Sequence, residues 1–488
     1  MEQTLQTEVD QVRNHCGYFP LEDWCIISAK GKETFSFLQT QTTNDVLQIQ
    51  LGQGQYNAIT DRQARLIANF SIHRVEEHEA WILVDTSQKE LLLNHLERYH
   101  FREDVQFTAL NCKLLALQGP KSPLILEQVF ENQNLPEKPN DTIQLTLDGN
   151  RVDIIMKSLT GDEGHILCFQ NELEDNLIQK LLKISTPPVK VSENAREVLR
   201  IEAGIPIFGK DMDQKNILPE TGLEHTSVSY DKGCYIGQEV IARIKTYGAP
   251  NMALMGLTVE GSDLPPFNGI LRLGEKKIGT IKSSVHSVTL NKILSLAYIH
   301  KEHRSPDIDL EVTIENKTFK VKTCLLPFYQ SQTRKDHSKR LLTQALQIYK
   351  EQDDLDRPIA ILRESIELDA KNAEAYEALG VFLSKQDKLD EAISLMKRLT
   401  EINPKEIMAR TNLSVYYMKQ GRIEDAEIEK GEATALQFEQ LIEKNMAKKL
   451  KKKEAELKKK EMEDLDARFR QLQEGLSDDG QSQCLLER

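Results

Sequence analysis

Lys232-Gly233-Cys234-Tyr235-Ile236-Gly237-Gln238-Glu239 is the stretch on which the reading of this chain turns. A cysteine stands between two glycines, which accept backbone angles and close approaches that other residues resist. Lys232 precedes it by two positions, and residues 238–244 read as a helix whose N-terminal end carries partial positive charge. Both would favour a thiolate on Cys234. Packing and solubility alone do not call for this combination, so Cys234 and Lys232 are the candidate reactive residues.

Upstream, Pro187-Pro188 leads into a helix over 193–202 and then a glycine- and proline-rich loop over 204–222 that delivers the chain to the motif. Before that, one order of elements occurs twice. Alternating apolar residues predict a strand at 21–28, a helix at 31–42 carrying Phe35, Leu38 and Gln39, a turn at Thr43-Asn44-Asp45, strands at 66–75 and 80–85, and a helix at 88–98. The second half repeats the theme with a strand at 114–118 running into Gly119-Pro120, a helix at 124–130 and strands at 143–147, 151–157 and 165–169. Such a duplication predicts an α+β domain with a pseudo-twofold and a ligand cleft near its centre. Gly52-x-Gly54 is not a dinucleotide fingerprint, because Asn57 holds the third glycine position and no strand–helix frame surrounds it.

Downstream the texture changes. Short strands at 255–259, 269–273, 277–282, 293–299, 310–314 and 318–323, punctuated by glycine turns, predict a small antiparallel barrel or sandwich. The polar stretch 331–338 reads as a linker. A 34-residue period follows: Tyr376, Leu379, Gly380, Leu383, Ala392, Leu399 and Pro404 take tetratricopeptide positions, answered one period later by Leu413, Ser414, Tyr417, Ala426 and Ala433. An earlier copy starts near Lys339, so three helix pairs are expected, near the minimum for a self-supporting stack. A long polar helix of coiled-coil type is expected over 437–475. Its eight lysines between Lys448 and Lys460 have glutamates for i,i+4 pairing and no aromatic interleaving, which reads as a solvated face rather than a nucleic-acid surface. Residues 476–488 read as a disordered tail.

The 488 residues carry a net charge of −13, with 39% hydrophobic and 28% charged residues, the composition of a globular protein with no affinity for nucleic acid or anionic membrane as a whole. No apolar run reaches membrane-helix length, and the first ten residues hold acids and no base, unlike a targeting peptide; the expected location is the cytoplasm. The seven cysteines are scattered and never spaced C-x-x-C, which argues against a disulfide framework or a thiolate metal site. His300-x-x-His303 lacks companions that would complete a metal shell, so no metal site is expected.

Residues 21–328 resemble the YgfZ branch of the glycine-cleavage T-protein superfamily. The resemblance rests on Phe37-Leu38-Gln39 with Thr43-Asn44-Asp45-Val46, on Arg200-Ile201-Glu202-Ala203-Gly204-Ile205-Pro206, on Pro219-Glu220 with Gly222-Leu223, and above all on Lys232 to Glu239 followed by Ala242-Arg243. It implies a T-protein-like duplicated folate-binding domain over 1–250 and a small β-barrel over 251–328. A linker at 329–338, tetratricopeptide repeats at 339–436 and the lysine-rich helix complete the chain. It also implies tetrahydrofolate as cofactor, with Glu202 on the pterin edge and Tyr235, Gln238 and Arg243 as further cofactor contacts. The implied function is iron–sulfur cluster assembly or repair, with clients or assembly partners docking on the repeats. The alternative is a tetrahydrofolate-dependent aminomethyltransferase or related one-carbon enzyme.

Overall fold

A computed structural model describes residues 2–131, 134–247, 249–314, 316–351 and 355–441. The expected helix over 437–475 and its lysine run fall almost wholly outside the described residues, as does the tail. The chain forms two compact units, 1–394 and 395–488.

The first unit opens with a helix absent from the sequence reading, α1 (Glu2–Asn14), followed by β1 (Gly17–Pro20) and β2 (Trp24–Lys30). The first half continues through α2 (Thr34–Gln41), β3 (Gly54–Thr60), β4 (Leu66–Glu76), β5 (Glu79–Asp85), α3 (Lys89–Tyr99) and β6 (Gln106–Ala109). The second half runs through β7 (Lys113–Gln118), α4 (Ser122–Val129), β8 (Thr142–Leu147), β9 (Asn150–Met156), β10 (Gly164–Phe169), a second unforeseen helix α5 (Glu174–Lys183) and β11 (Val189–Lys190). Its 3.6-residue apolar stripe, Leu177 and Leu181, buries as an amphipathic helix should.

The halves build two sheets, ordered β3-β4-β5-β2-β6 and β11-β1-β7-β10-β9-β8. Each sheet packs two helices on one face. Phe35, Phe37, Leu38, Leu92 and Leu96 of α2 and α3 cover the first sheet, while Ile125, Leu126, Leu177 and Leu181 of α4 and α5 cover the second. The remaining faces turn inward and share a central core with α1, α6 (Glu193–Glu202) and part of the barrel: Val9, Val12, Phe19, Ile26, Trp81, Ala116, Ile166, Leu199, Ile201, Val285 and Leu294 all lie in it. Helix α6 starts where its residues dictate, with the Ser192 hydroxyl accepting from the Ala195 amide.

After α6 come the short helix α7 (Glu224–Ser227), the motif and α8 (Gln238–Tyr247). Strands β12 (Met252–Val259), β13 (Ile270–Leu273), β14 (Lys276–Ser287), β15 (Lys292–His300), β16 (Asp309–Ile314) and β17 (Lys317–Cys324) then close a six-stranded barrel in the order β12-β15-β14-β13-β16-β17.

The predicted linker does not exist. Residues 332–338 are the first turns of α9 (Gln332–Glu351), with the Ser331 hydroxyl accepting from the Arg334 amide. Ser338 is buried and bonded to Ser365 of α10 (Asp356–Leu368). The stretch looked like a linker because its core contacts are made by serine hydroxyls rather than apolar side chains. Helices α11 (Ala373–Lys385), α12 (Leu389–Ile402) and α13 (Ile407–Lys419) and a helix over 423–441 follow in the repeat region. In the second unit Arg410 of α13 pairs with Glu429 of the last helix at 3.0 Å, beside buried Leu413, Tyr417 and Ala426.

Candidate functional site

The motif loop is held on both sides of its cysteine. Before it, residues 226–229 are fastened to the turn after α2: Thr43 Oγ1 donates to the Ser227 carbonyl, Asn44 Nδ2 to the Thr226 carbonyl at 3.2 Å, and the Ser229 amide to the Thr43 carbonyl at 3.0 Å. Lys232 sends its ammonium into the same turn, donating to the carbonyls of Gln39, Thr42 and Asn44 at 2.6, 2.6 and 2.9 Å. Those are carbonyls at and just beyond the C-terminus of α2, where helical partners run out and positive charge is favoured. After the cysteine, Tyr235 is 7% exposed and packs with Ala58, Leu66, Met212, Leu218 and Ile241. Thr60 Oγ1 donates to the Ile236 carbonyl at 2.6 Å. Gly237 sits at φ +89°, and a Cβ there would lie 2.5 Å from the Asp61 carbonyl oxygen, so only glycine fits. Between these anchors Gly233 has open space around it and Cys234 is exposed, the one exposed thiol among the described residues.

Lys232 does not play the role expected of it. An ammonium has three donors, and all three go to backbone carbonyls, so it stitches the motif to the 39–46 segment instead of pairing with the thiol. Burial pushes its pKa down to about 8, against the pull of Asp45. Burial, with the charge of Glu224, raises the Tyr235 phenol, whose hydroxyl finds no hydrogen-bond partner among the described residues. Nearby, Tyr230 donates to Glu224, and the Lys245 ammonium lies 3.4 Å over the Tyr230 ring. Gln238 is half-buried at the start of α8, its amide donating to the Tyr235 carbonyl at 3.3 Å. Arg243 lies on the exposed side of α8 in a 2.9 Å pair with Glu239.

Glu202 lies apart from this group and departs from the expectation most. It is 0% exposed, with Ser287 donating to Oε1 at 2.6 Å, and Arg13 and Thr289 donating to Oε2 at 2.7 and 3.0 Å. Arg13 also pairs with Asp162 at 2.5 Å and lies 3.6 Å over the Tyr329 ring. The carboxylate is thus sealed at the meeting of α1, α6 and the barrel, and offers no free edge to a pterin. Sequence reasoning had no handle on this, because Arg13 lies between the first ten residues, read only for their charge, and the strand expected at 21–28, in a stretch given no element.

A second set of polar atoms lies where the two halves meet. There, on or beside edge strands β3 and β8, Gln55 Nε2, Asn140 Oδ1, Thr142 Oγ1 and Lys157 Nζ are buried without hydrogen-bond partners among the described residues, next to the half-buried Tyr56 and Trp24. Orphaned polar atoms beside aromatic rings suit a polar aromatic ligand. Among the described residues no group of three or more His, Cys, Asp or Glu is arranged to hold a metal ion.

Comparison with known proteins matches residues 1–232 to the GCVT N-terminal domain, 253–330 to the glycine cleavage T-protein C-terminal barrel domain and 361–394 to a tetratricopeptide repeat. The chain is 26% identical over 333 residues to an aminomethyltransferase of Bacillus pumilus (strain SAFR-032), covering 67% of this chain and 91% of the relative. To that of Bacillus cytotoxicus it is 27% identical over 339 residues, covering 67% and 90%. The glycine cleavage system aminomethyltransferase T from Bartonella henselae superposes with a TM-score of 0.62 at 20% identity, over 67% of this chain and 90% of that one, which shows a shared fold.

Proposed function

Because this chain carries both domains of the glycine-cleavage T-protein superfamily with a tetratricopeptide region behind them, we propose that it is a folate-binding factor for iron–sulfur cluster assembly or repair, of the YgfZ type, with Cys234 as its transfer thiol. The observation that carries this reading is the exposure of Cys234 on a loop tied down on both sides. A thiol that hands sulfur or iron to another protein must be reachable by that protein, and it must be held still for the exchange. Lys232 and Tyr235 are then positioning residues. Cys234 is the group that exchanges with the partner. Gln238 and Arg243, on α8 beside the thiol, are contacts for the folate or the client.

Folate, when bound, supplies a one-carbon carrier or an allosteric ligand; the chain's own contribution is the partnerless polar seam that would hold it. The repeat helices offer the surface on which a client or assembly protein docks. No described helix is long and apolar enough to cross a membrane, and this reading places the protein in the cytoplasm.

The test is complementation. In cells lacking the gene, the wild-type chain is expected to restore the activity of a cluster-dependent enzyme and Cys234→Ala is not. Full restoration by Cys234→Ala ends the reading. A second reading, supported by the names of the relatives, is aminomethyl transfer. It requires turnover of a protein-bound methylamine with tetrahydrofolate, undiminished in Cys234→Ala.

A further inference from the structure

Lys157 follows β9 at the junction of the halves, and its backbone is fixed from both sides: its amide donates to the Gly164 carbonyl at 2.8 Å, and its carbonyl accepts from Gln118 Nε2 at 3.0 Å. The side chain is 3% exposed. Its ammonium lies 3.7 Å over the Tyr56 ring and 5.8 Å from that of Trp24, both from the opposite half. Among the described residues it makes neither a hydrogen bond nor an ion pair. Its charge, after burial, helps hold neighbouring His73 neutral, and Arg334, the next cation towards Tyr56, is already surrounded by Asp162, Glu163 and Glu367. A buried lysine with three idle donors is costly. Lysines that serve only packing send the ammonium to water or to a carboxylate, and this one does neither.

We propose that Lys157 is the anchor for a carboxylate of the ligand, held between Tyr56 and Trp24; resting on the folate reading above, that carboxylate is one on the glutamyl tail of tetrahydrofolate. The ligand's anion completes the three donors, and the two rings flank its aromatic portion. The partnerless Gln55 and Thr142 side chains lie on the adjoining edge strands, within reach of the seam but neutral, so they discriminate less against ligands that lack the charge.

The experiment titrates the full chain by calorimetry with 5-formyltetrahydrofolate and with 6-methyltetrahydropterin, which lacks the carboxylates. Lys157→Met is expected to weaken the folate roughly 10- to 100-fold, the worth of a charge-assisted hydrogen bond, to leave the pterin unchanged, and to keep or raise the melting temperature of the ligand-free protein because an unpaired buried charge is gone. Lys157→Arg is expected to keep folate binding within a few-fold. Equal folate affinity in wild type and Lys157→Met overturns the anchor while leaving folate binding intact, and so does an equal loss for both ligands. Absence of folate binding in the wild type overturns the folate reading itself, and the anchor with it.

Discussion

The motif loop and the Glu202 junction are built from the same material and used in opposite ways. In each, a buried charged side chain ties together segments far apart in the chain: Lys232 joins the motif to the turn after α2, and Glu202 joins α6 to α1 and to the barrel. Around Lys232 the anchors surround an exposed thiol. Around Glu202 they bury the carboxylate completely. The difference lies in what answers the charge. Backbone carbonyls answer Lys232 and leave the neighbouring side chains free to face outward, whereas side chains from three elements converge on Glu202 and fill the space a ligand would need. A charged residue in a family motif is therefore not by itself a ligand contact; its partners decide.

The sharpest break of this comparison is Glu202→Ala. Arg13 keeps its pair with Asp162, but its second donor and the Ser287 and Thr289 hydroxyls lose their acceptor, at a cost of about 1–3 kcal/mol for each buried group left unsatisfied, to be measured by denaturant unfolding. A variant of wild-type stability that has lost only folate binding would instead put Glu202 in the ligand site. Lys232→Met removes three donors from carbonyls at the end of α2 and is expected to cost about 1.5–3 kcal/mol. It should also speed proteolysis within 226–239, since the loop loses its tie to the first half; unchanged cleavage there would show that Thr43 and Asn44 suffice.

The pH dependence sharpens how rigidly the central body is held. Burial lowers the pKa values of His73, to about 3, and of His165 and His95, to about 4. The folded protein keeps these rings neutral while the unfolded chain protonates them below about 6.5. Their contribution is therefore fully present above that pH and is lost as the pH falls towards 4, by about 1.4 kcal/mol per unit for each ring. Stability flat between pH 6.5 and 4.5 would mean that these rings admit water. The smallest expected effect is Cys234→Ser, within about 0.5 kcal/mol of wild type, because Cys234 is exposed; a larger loss would make Cys234 structural and erase the contrast between the two regions.

Much of the architecture was legible residue by residue. The six barrel strands, the helix over 193–202 that becomes α6, and the tetratricopeptide spacing are local signals, and local signals survive folding. Helices α1 and α5 were overlooked because one was read only as a possible leader and the other only as a gap between strands. The 331–338 stretch was misjudged because its core contacts run through Ser331 and Ser338. At the candidate site the sequence singled out the loop that carries the exposed thiol, but it did not foresee that Lys232 bonds to backbone carbonyls or that Glu202 meets Arg13 and Ser287.

By itself, then, the sequence determined most of the strands and the repeat helices, their grouping into an α+β body, a barrel and repeats, and that Cys234 would stand between glycines. Only the tertiary structure decided what each charge is for. Lys232 bonds to carbonyls 188 to 193 positions away, and Glu202 to Arg13 at a separation of 189 and Ser287 at 85. Periodicity and capping act over a few residues. Whether a buried charge meets a carbonyl, a counter-ion or a ligand depends on which distant segments packing brings beside it, as the bare ammonium of Lys157 shows.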